Sequence, residues 1–219
     1  MNTGQYFKEP RKEVDKVYAK TEKPKIGVDI DEVVVEFFRR YLELFNERFE
    51  KNLSFNNITQ YHIWDLTDVS KKDSLKLAEE FYNSKHFDNL NLVEGVKEAL
   101  SKLNGNYEIH FITSRPESLK EKTKNFLNAF FKDFHFDLHF SGEVWGESRT
   151  KGEVCKNLGI KFMVEDNAEY AYDCAKKGIK TFLLDKPWNK DYVSHRNLIK
   201  IKNWNEILEN LENGNFRIF

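Results

Sequence analysis

The chain of 219 residues has little cysteine, almost no net charge and no long apolar run. Its two cysteines, Cys155 and Cys174, stand far apart in sequence and show no Cys-x-x-Cys spacing. That argues against a disulfide framework and favours two reduced thiols in an intracellular protein. Lys plus Arg number 35 and Asp plus Glu 36, for a formal charge of −1. Such a balance carries no electrostatic footprint for a nucleic-acid polymer or a membrane surface. No apolar stretch approaches the length of a spanning helix and no signal peptide is present, so the expected location is cytoplasmic. Internal repeats and a Gly-rich phosphate loop of the Walker kind are also missing. What is abundant is aromatic: 19 Phe, 9 Tyr and 4 Trp, a set that more than fills one core and leaves rings to line a pocket. The length suffices for one full core plus an insertion, or for two small domains.

The stretch Lys25 to Val35, KIGVDIDEVVV, reads as a buried strand whose end carries two acids, Asp29 and Asp31. Carboxylates at i and i+2 lean to one side of a strand, repel each other, and are costly there unless a cation pairs with them. Ligands made of oxygen alone suit Mg²⁺. The plain alternative is a strand with two acids in its exit turn, where Asp is common.

Residues 1–24 are rich in Lys and Glu and read as a charged N-terminal arm. After the first strand, Val34, Phe38, Tyr41, Leu42, Phe45 and Phe49 recur at helical spacing, predicting a helix to about Glu50. Lys71 to Asn83 is amphipathic, and a helix over about Glu94 to Leu103 ends at Asn104-Gly105. This insertion is too long for a simple crossover and reads as a helical cap over 36–104. From Tyr107 onward strand and helix alternate. Strands are expected near 109–112, 136–140, 161–164, 181–184 and 198–201, and helices near 116–131, 151–158, 168–177 and 204–211. Alternation of this kind implies an α/β fold with a parallel sheet covered on both faces, its core formed by 25–35 and 105–219. Ligands of such sheets bind at the carboxyl ends of the strands.

Four polar signals fall at those ends: Asp29-Ile30-Asp31, Thr113-Ser114-Arg115-Pro116, Arg149-Thr150-Lys151 and Glu165-Asp166-Asn167. Singly, each has an ordinary reading. Thr113 or Ser114 could cap a helix, Lys151 could be solvated, and Glu165-Asp166 could be turn acids. In this order they make a complete set for phosphoryl transfer through an aspartyl phosphate. A response-regulator receiver clusters similar groups, but in a different order and without so long a cap. Five of the six histidines, His62, His86, His110, His135 and His139, show no spacing that suggests a metal site.

Asp-x-Asp, then Ser/Thr, then Lys, then an acidic pair, over residues 25–186, resembles the haloacid dehalogenase-like (HAD) phosphatase superfamily. Phe37, eight residues after Asp29, together with Thr113-Ser114, Arg149-x-Lys151 and the late loop Asp185-Lys186-Pro187-Trp188-Asn189, looks like its 5′(3′)-deoxyribonucleotidase branch. Two positions depart from that branch: Glu32 stands where Gly is usual, adding a charge beside the site, and Glu165-Asp166 replaces Asp-Asp. The resemblance implies a three-layer Rossmann-like sheet with a small helical cap after the first strand. It implies Asp29 as nucleophile and Asp31 as general acid and base. Mg²⁺ would be held by Asp29, the backbone carbonyl of Asp31, and Asp166, with Glu165 a direct or outer ligand. Thr113, Ser114 and Lys151 would bind the phosphate end of the substrate, and Arg149 would position the phosphate or the sugar. Phe37 and Trp64 would form an aromatic slot for a base, unless they are simply cap core. The expected activity is a Mg²⁺-dependent 5′-nucleotidase acting on (deoxy)nucleoside monophosphates. The alternatives are a phosphatase of another small phosphomonoester such as a sugar phosphate, and a non-catalytic relative that binds a nucleotide or a partner. The partner is thus a small-molecule phosphomonoester rather than a nucleic-acid polymer or membrane, and a homodimer is left open.

Overall fold

The computed structural model describes residues 22–141 and 149–214; the arm expected over 1–24 falls almost wholly outside them. Six parallel strands run in the order β3-β2-β1-β4-β5-β6. They are β1 (Lys25–Val28), β2 (Glu108–Thr113), β3 (Phe136–Phe140), β4 (Phe162–Glu165), β5 (Lys180–Leu184) and β6 (Leu198–Ile201). The helices are α1 (Phe37–Phe49), α2 (Lys71–Tyr82), α3 (Lys85–Asp88), α4 (Val96–Leu103), α5 (Lys120–Phe130), α6 (Lys151–Leu158), α7 (Ala168–Lys176) and α8 (Trp204–Glu212).

The alternation produces three layers because both faces of the central strands are apolar. Ile26, Val28 and Phe111 share one core cluster with Leu100 of α4, Leu127 of α5 and Ile207 of α8. Ile112 and Met163 face the other way, onto Val154 and Cys155 of α6 and Cys174 of α7. Gly27 sits between them in β1 for want of room: a Cβ there would come within 2.7 Å of Met163 Sδ and 2.9 Å of Ile112 Cδ1. Cys155 and Cys174, distant in sequence, meet in this layer as buried free thiols with Sγ atoms 4.0 Å apart. No helix among the described residues is long and apolar enough to cross a membrane.

The first strand is shorter than its apolar run. β1 stops at Val28, and Val33, Val34 and Val35 are fully buried in a tight turn instead. Glu32 adopts φ 62°, and the N–H groups of Val34 and Val35 both donate to Ile30 O, at 2.8 and 3.0 Å. A left-handed residue reverses the chain, which an uninterrupted strand cannot do.

The inserted segment leaves and returns through a two-chain stem. Glu36 N donates to Asn91 O and Val93 N to Val34 O, around a bridge between Val35 and Leu92. The expected cap range of 36–104 therefore also takes in α4, which packs against α8 beside the sheet. α1, α2 and α3 pack on one another. Their buried Tyr41, Phe45, Phe81 and Phe87 are continuous with the sheet's core.

Candidate active site

Asp29 follows β1 directly, and its N–H donates to Val164 O of β4 at 3.0 Å. This places its carboxylate where the connections out of β1 and β4 diverge, the usual ligand crevice of an open parallel sheet. Lys151, the first residue of α6, reaches Asp29 Oδ1 at 2.9 Å and Glu165 Oε2 at 2.8 Å. All three side chains are almost completely buried.

The start of α6 is held rigidly, which fixes that lysine. Thr150 caps the helix in a reciprocal box with Glu153. Asp173 of α7 accepts from Thr150 Oγ1 at 2.7 Å and Gly152 N at 3.0 Å, and pairs with Lys177.

Glu165 ends β4 and Asp166 follows it. Glu165 Oε1 accepts from the N–H groups of Asp166 and Asn167, so this acid braces the turn while its other oxygen meets Lys151. Asp166 Oδ2 accepts from Trp188 Nε1 at 3.0 Å, and Asn189 Nδ2 donates to Asp166 O at 2.7 Å. The late loop thus orients this carboxylate. Its other oxygen, Oδ1, is buried with no hydrogen-bond partner. Asp29, Glu165 and Asp166 each present an oxygen within 4.8 Å of the others. Burial, reinforced by Glu165 and opposed by Lys151, pushes Asp29 up to about 7. Burial and then Glu165 raise Asp166 well above the usual carboxylate range. Burial alone would lower Lys151, but Asp29 and Glu165 outweigh it and hold the ammonium well above its ordinary value. Three buried carboxylates around one ammonium, with an orphaned oxygen, fit a bound divalent cation.

Asp31 is turned away from this cluster. Arg115 Nε donates to its Oδ2 at 2.9 Å and Nη2 to its Oδ1 at 2.6 Å. The guanidinium is buried, 5.4 Å from the Tyr82 ring centroid and 5.1 Å from that of Phe87, and it also donates to Thr123 of α5. The sequence showed an Arg after Thr113-Ser114 but not that its fork would close on Asp31. Thr113 ends β2 and is buried, and Ser114 Oγ lies 3.2 Å from Ser141 Oγ at the end of β3.

Glu32, the charge expected beside the site, is neutralised in place. Its carboxylate accepts from Phe38 N at 2.6 Å, capping α1, and from Lys186 Nζ at 3.2 Å. Burial raises it and Lys186 opposes the rise.

One pocket joins these groups. Asp29, Asp31, Thr113, Ser114, Lys151 and Asp166 line its polar floor. Phe37, Trp64, Tyr61 and Tyr82 belong to its cap wall. Phe37 stacks on Tyr41 at 5.4 Å and meets Phe81 edge-on at 4.9 Å; Trp64 stacks on His62 at 4.3 Å. Arg149 is the exception. It precedes the cap of α6, is exposed, and borders a separate groove with Glu117 and Phe140. Among the described residues, the guanidinium at the pocket is that of Arg115.

Comparison with known proteins agrees with this architecture. Residues 23–212 match the family model described as 5′ nucleotidase, deoxy (pyrimidine), cytosolic type C protein. A nucleotidase of Clostridium acetobutylicum is 26% identical over 182 residues, covering 83% of this chain and 90% of that one. A HAD-superfamily hydrolase of Geobacter sulfurreducens superposes with a TM-score of 0.57 at 17% identity, over 85% of this chain and 98% of that one. A HAD family hydrolase of Deinococcus radiodurans, solved with bound phosphate and sodium, gives 0.59 at 14% identity, over 89% and 97%. The chain belongs to the 5′ nucleotidase, deoxy (pyrimidine), cytosolic type C family, and is a phosphatase of the nucleotidase kind on a HAD-type fold.

Proposed function

We propose that this enzyme releases phosphate from (deoxy)nucleoside 5′-monophosphates through an aspartyl phosphate on Asp29. The observation that carries the reading is the convergence of Asp29, Asp31, Thr113, Lys151 and Asp166 on one floor beneath an aromatic wall. An Asp29 oxygen attacks phosphorus and the bond to the leaving oxygen breaks as Asp31 supplies its proton. Water then attacks the aspartyl phosphate, Asp31 takes a proton from it, and phosphate leaves. For both transfers Asp31 must turn from Arg115 toward the reacting oxygen; Arg115 holds it between turnovers. Thr113 and the N–H of Ser114 hold the phosphoryl oxygens, and Lys151 draws negative charge away from Asp29 as it attacks.

Asp29, Asp166 and the backbone carbonyl of Asp31 would hold Mg²⁺, with Glu165 beside them. The ion supplies positive charge that lets an anionic phosphate approach an anionic nucleophile. The base rests against the cap, where Phe37 and Trp64 offer flat apolar surface. A preference for nucleotides over sugar phosphates follows from that wall, since a sugar lacks the flat π-face of a base.

The test is phosphate release from a panel of nucleotides and sugar phosphates, with Mg²⁺ and after its removal by chelation. Nucleotides should be the better substrates and chelation should stop turnover. Asp29→Asn should fold and be inactive; substantial turnover by that variant would rule out the aspartyl phosphate.

A further inference from the structure

The strands β2 and β3 carry a second cluster of potential ligands, on the sheet face that packs against α6 and separate from the phosphatase pocket. Parallel pairing sets His110 opposite Asp137 and Ile112 opposite His139, so His110, Asp137 and His139 project from one face. His110 Nδ1 lies 3.1 Å from His139 Nε2 and 3.7 Å from Asp137 Oδ2. Two atoms that each ligate a tetrahedral ion at about 2.0–2.1 Å are about 3.3 Å apart, so these separations suit one shared ion. The three ligand atoms all fall within 4.8 Å of one another.

A second observation points the same way. His110 is buried, and its Nε2 has no hydrogen-bond partner. Glu108, two residues earlier on the same face, holds a carboxylate oxygen 3.9 Å from that nitrogen. Metal-binding imidazoles commonly give their other N–H to a carboxylate, and a small closure would complete that contact. The set is reachable from solvent through Asp137, whose side chain is 54% exposed. His135 stands exposed beside Asp137, 3.8 Å from its Oδ1.

We infer that His110, His139 and Asp137 form a binding site for a Zn²⁺-class divalent ion, distinct from the acidic site at Asp29 and Asp166. Two imidazoles and one carboxylate select a borderline ion over Mg²⁺. Lys25, on the adjacent strand, brings a positive charge near His110, and Glu108 is its cross-strand neighbour. The ion ties edge strand β3, which is paired in the sheet to β2 alone, onto the sheet.

The test is equilibrium dialysis of metal-stripped protein against micromolar Zn²⁺, with millimolar Mg²⁺ to occupy the acidic site. One Zn²⁺ per chain should bind and raise the melting temperature. His139→Ala and the more exposed Asp137→Asn should each weaken binding at least about tenfold, and Glu108→Gln by roughly 10–100-fold. Phosphatase activity with Mg²⁺ should be unchanged in all three. Absence of micromolar Zn²⁺ binding, or binding that survives both His139→Ala and Asp137→Asn at full strength, would overturn the assignment.

Discussion

At the scale of single residues, charge is arranged so that four acids around the site each face a cation. Asp31 has Arg115, Asp29 and Glu165 share Lys151, and Glu32 has Lys186. Removing one member of such a pair leaves an uncompensated charge in a poorly solvated place. Arg115→Met should therefore lower stability by about 3 kcal/mol, read from urea unfolding, and a loss below about 1 kcal/mol would show that Asp31 reaches water easily. Asp166 differs because one of its oxygens has no partner. Since Asp29 titrates near 7 when folded, against 3.8 in its unperturbed state, its contribution to stability is complete at acidic pH and is lost as pH rises through about 7. A cation bound there displaces the proton, so added Mg²⁺ should raise the melting temperature more at about pH 8 than at about pH 5. Equal rises at both would argue against a carboxylate metal site.

At the scale of elements, the ends of helices place the reacting groups. α6 presents Lys151 because Thr150 and Asp173 secure its first turn, and α7 starts where Asn167 caps it by accepting from Glu169 N and Tyr170 N. Hydrogen bonds, led by those from Lys177 and Thr150, hold Asp173 below its ordinary value despite partial burial. A depressed acid stabilises the fold above the usual carboxylate range and stops doing so as pH falls through its folded value. Asp173→Ala should cost about 1–2 kcal/mol near neutrality, discounted for partial exposure, with the deficit shrinking in strong acid. It should also reduce kcat through a displaced Lys151; a variant that loses stability but keeps kcat would separate the cap from the lysine. Much of this was legible in the sequence. Capping residues, periodicity and stop glycines are local signals, and the expected bounds of α2, α6, α7 and α8 agree with the structure to within a residue or so. The β1 turn was not legible, because a valine run reads as strand until Glu32 takes a left-handed φ of 62°.

At the scale of the whole molecule, the cap and the sheet share one apolar core, and the pocket lies at their junction. Under the proposed function, substrate choice belongs to the cap and chemistry to the strand ends. Phe37→Ala should raise KM for a nucleotide by about tenfold while leaving that for p-nitrophenyl phosphate little changed, and equal effects on both would mean that Phe37 only packs the cap.

The sequence by itself determined the parallel α/β class, the long insertion after the first strand and the four polar strand ends, because periodicity, capping and motif order are properties of neighbouring residues. Only the tertiary structure decided that Arg115 and not Arg149 stands at the pocket, that α4 packs beside the sheet against α8, and that His110, Asp137 and His139 meet. Those outcomes depend on strand register and on which way a side chain turns across a gap of tens of residues. Neither is encoded in any local stretch of the chain.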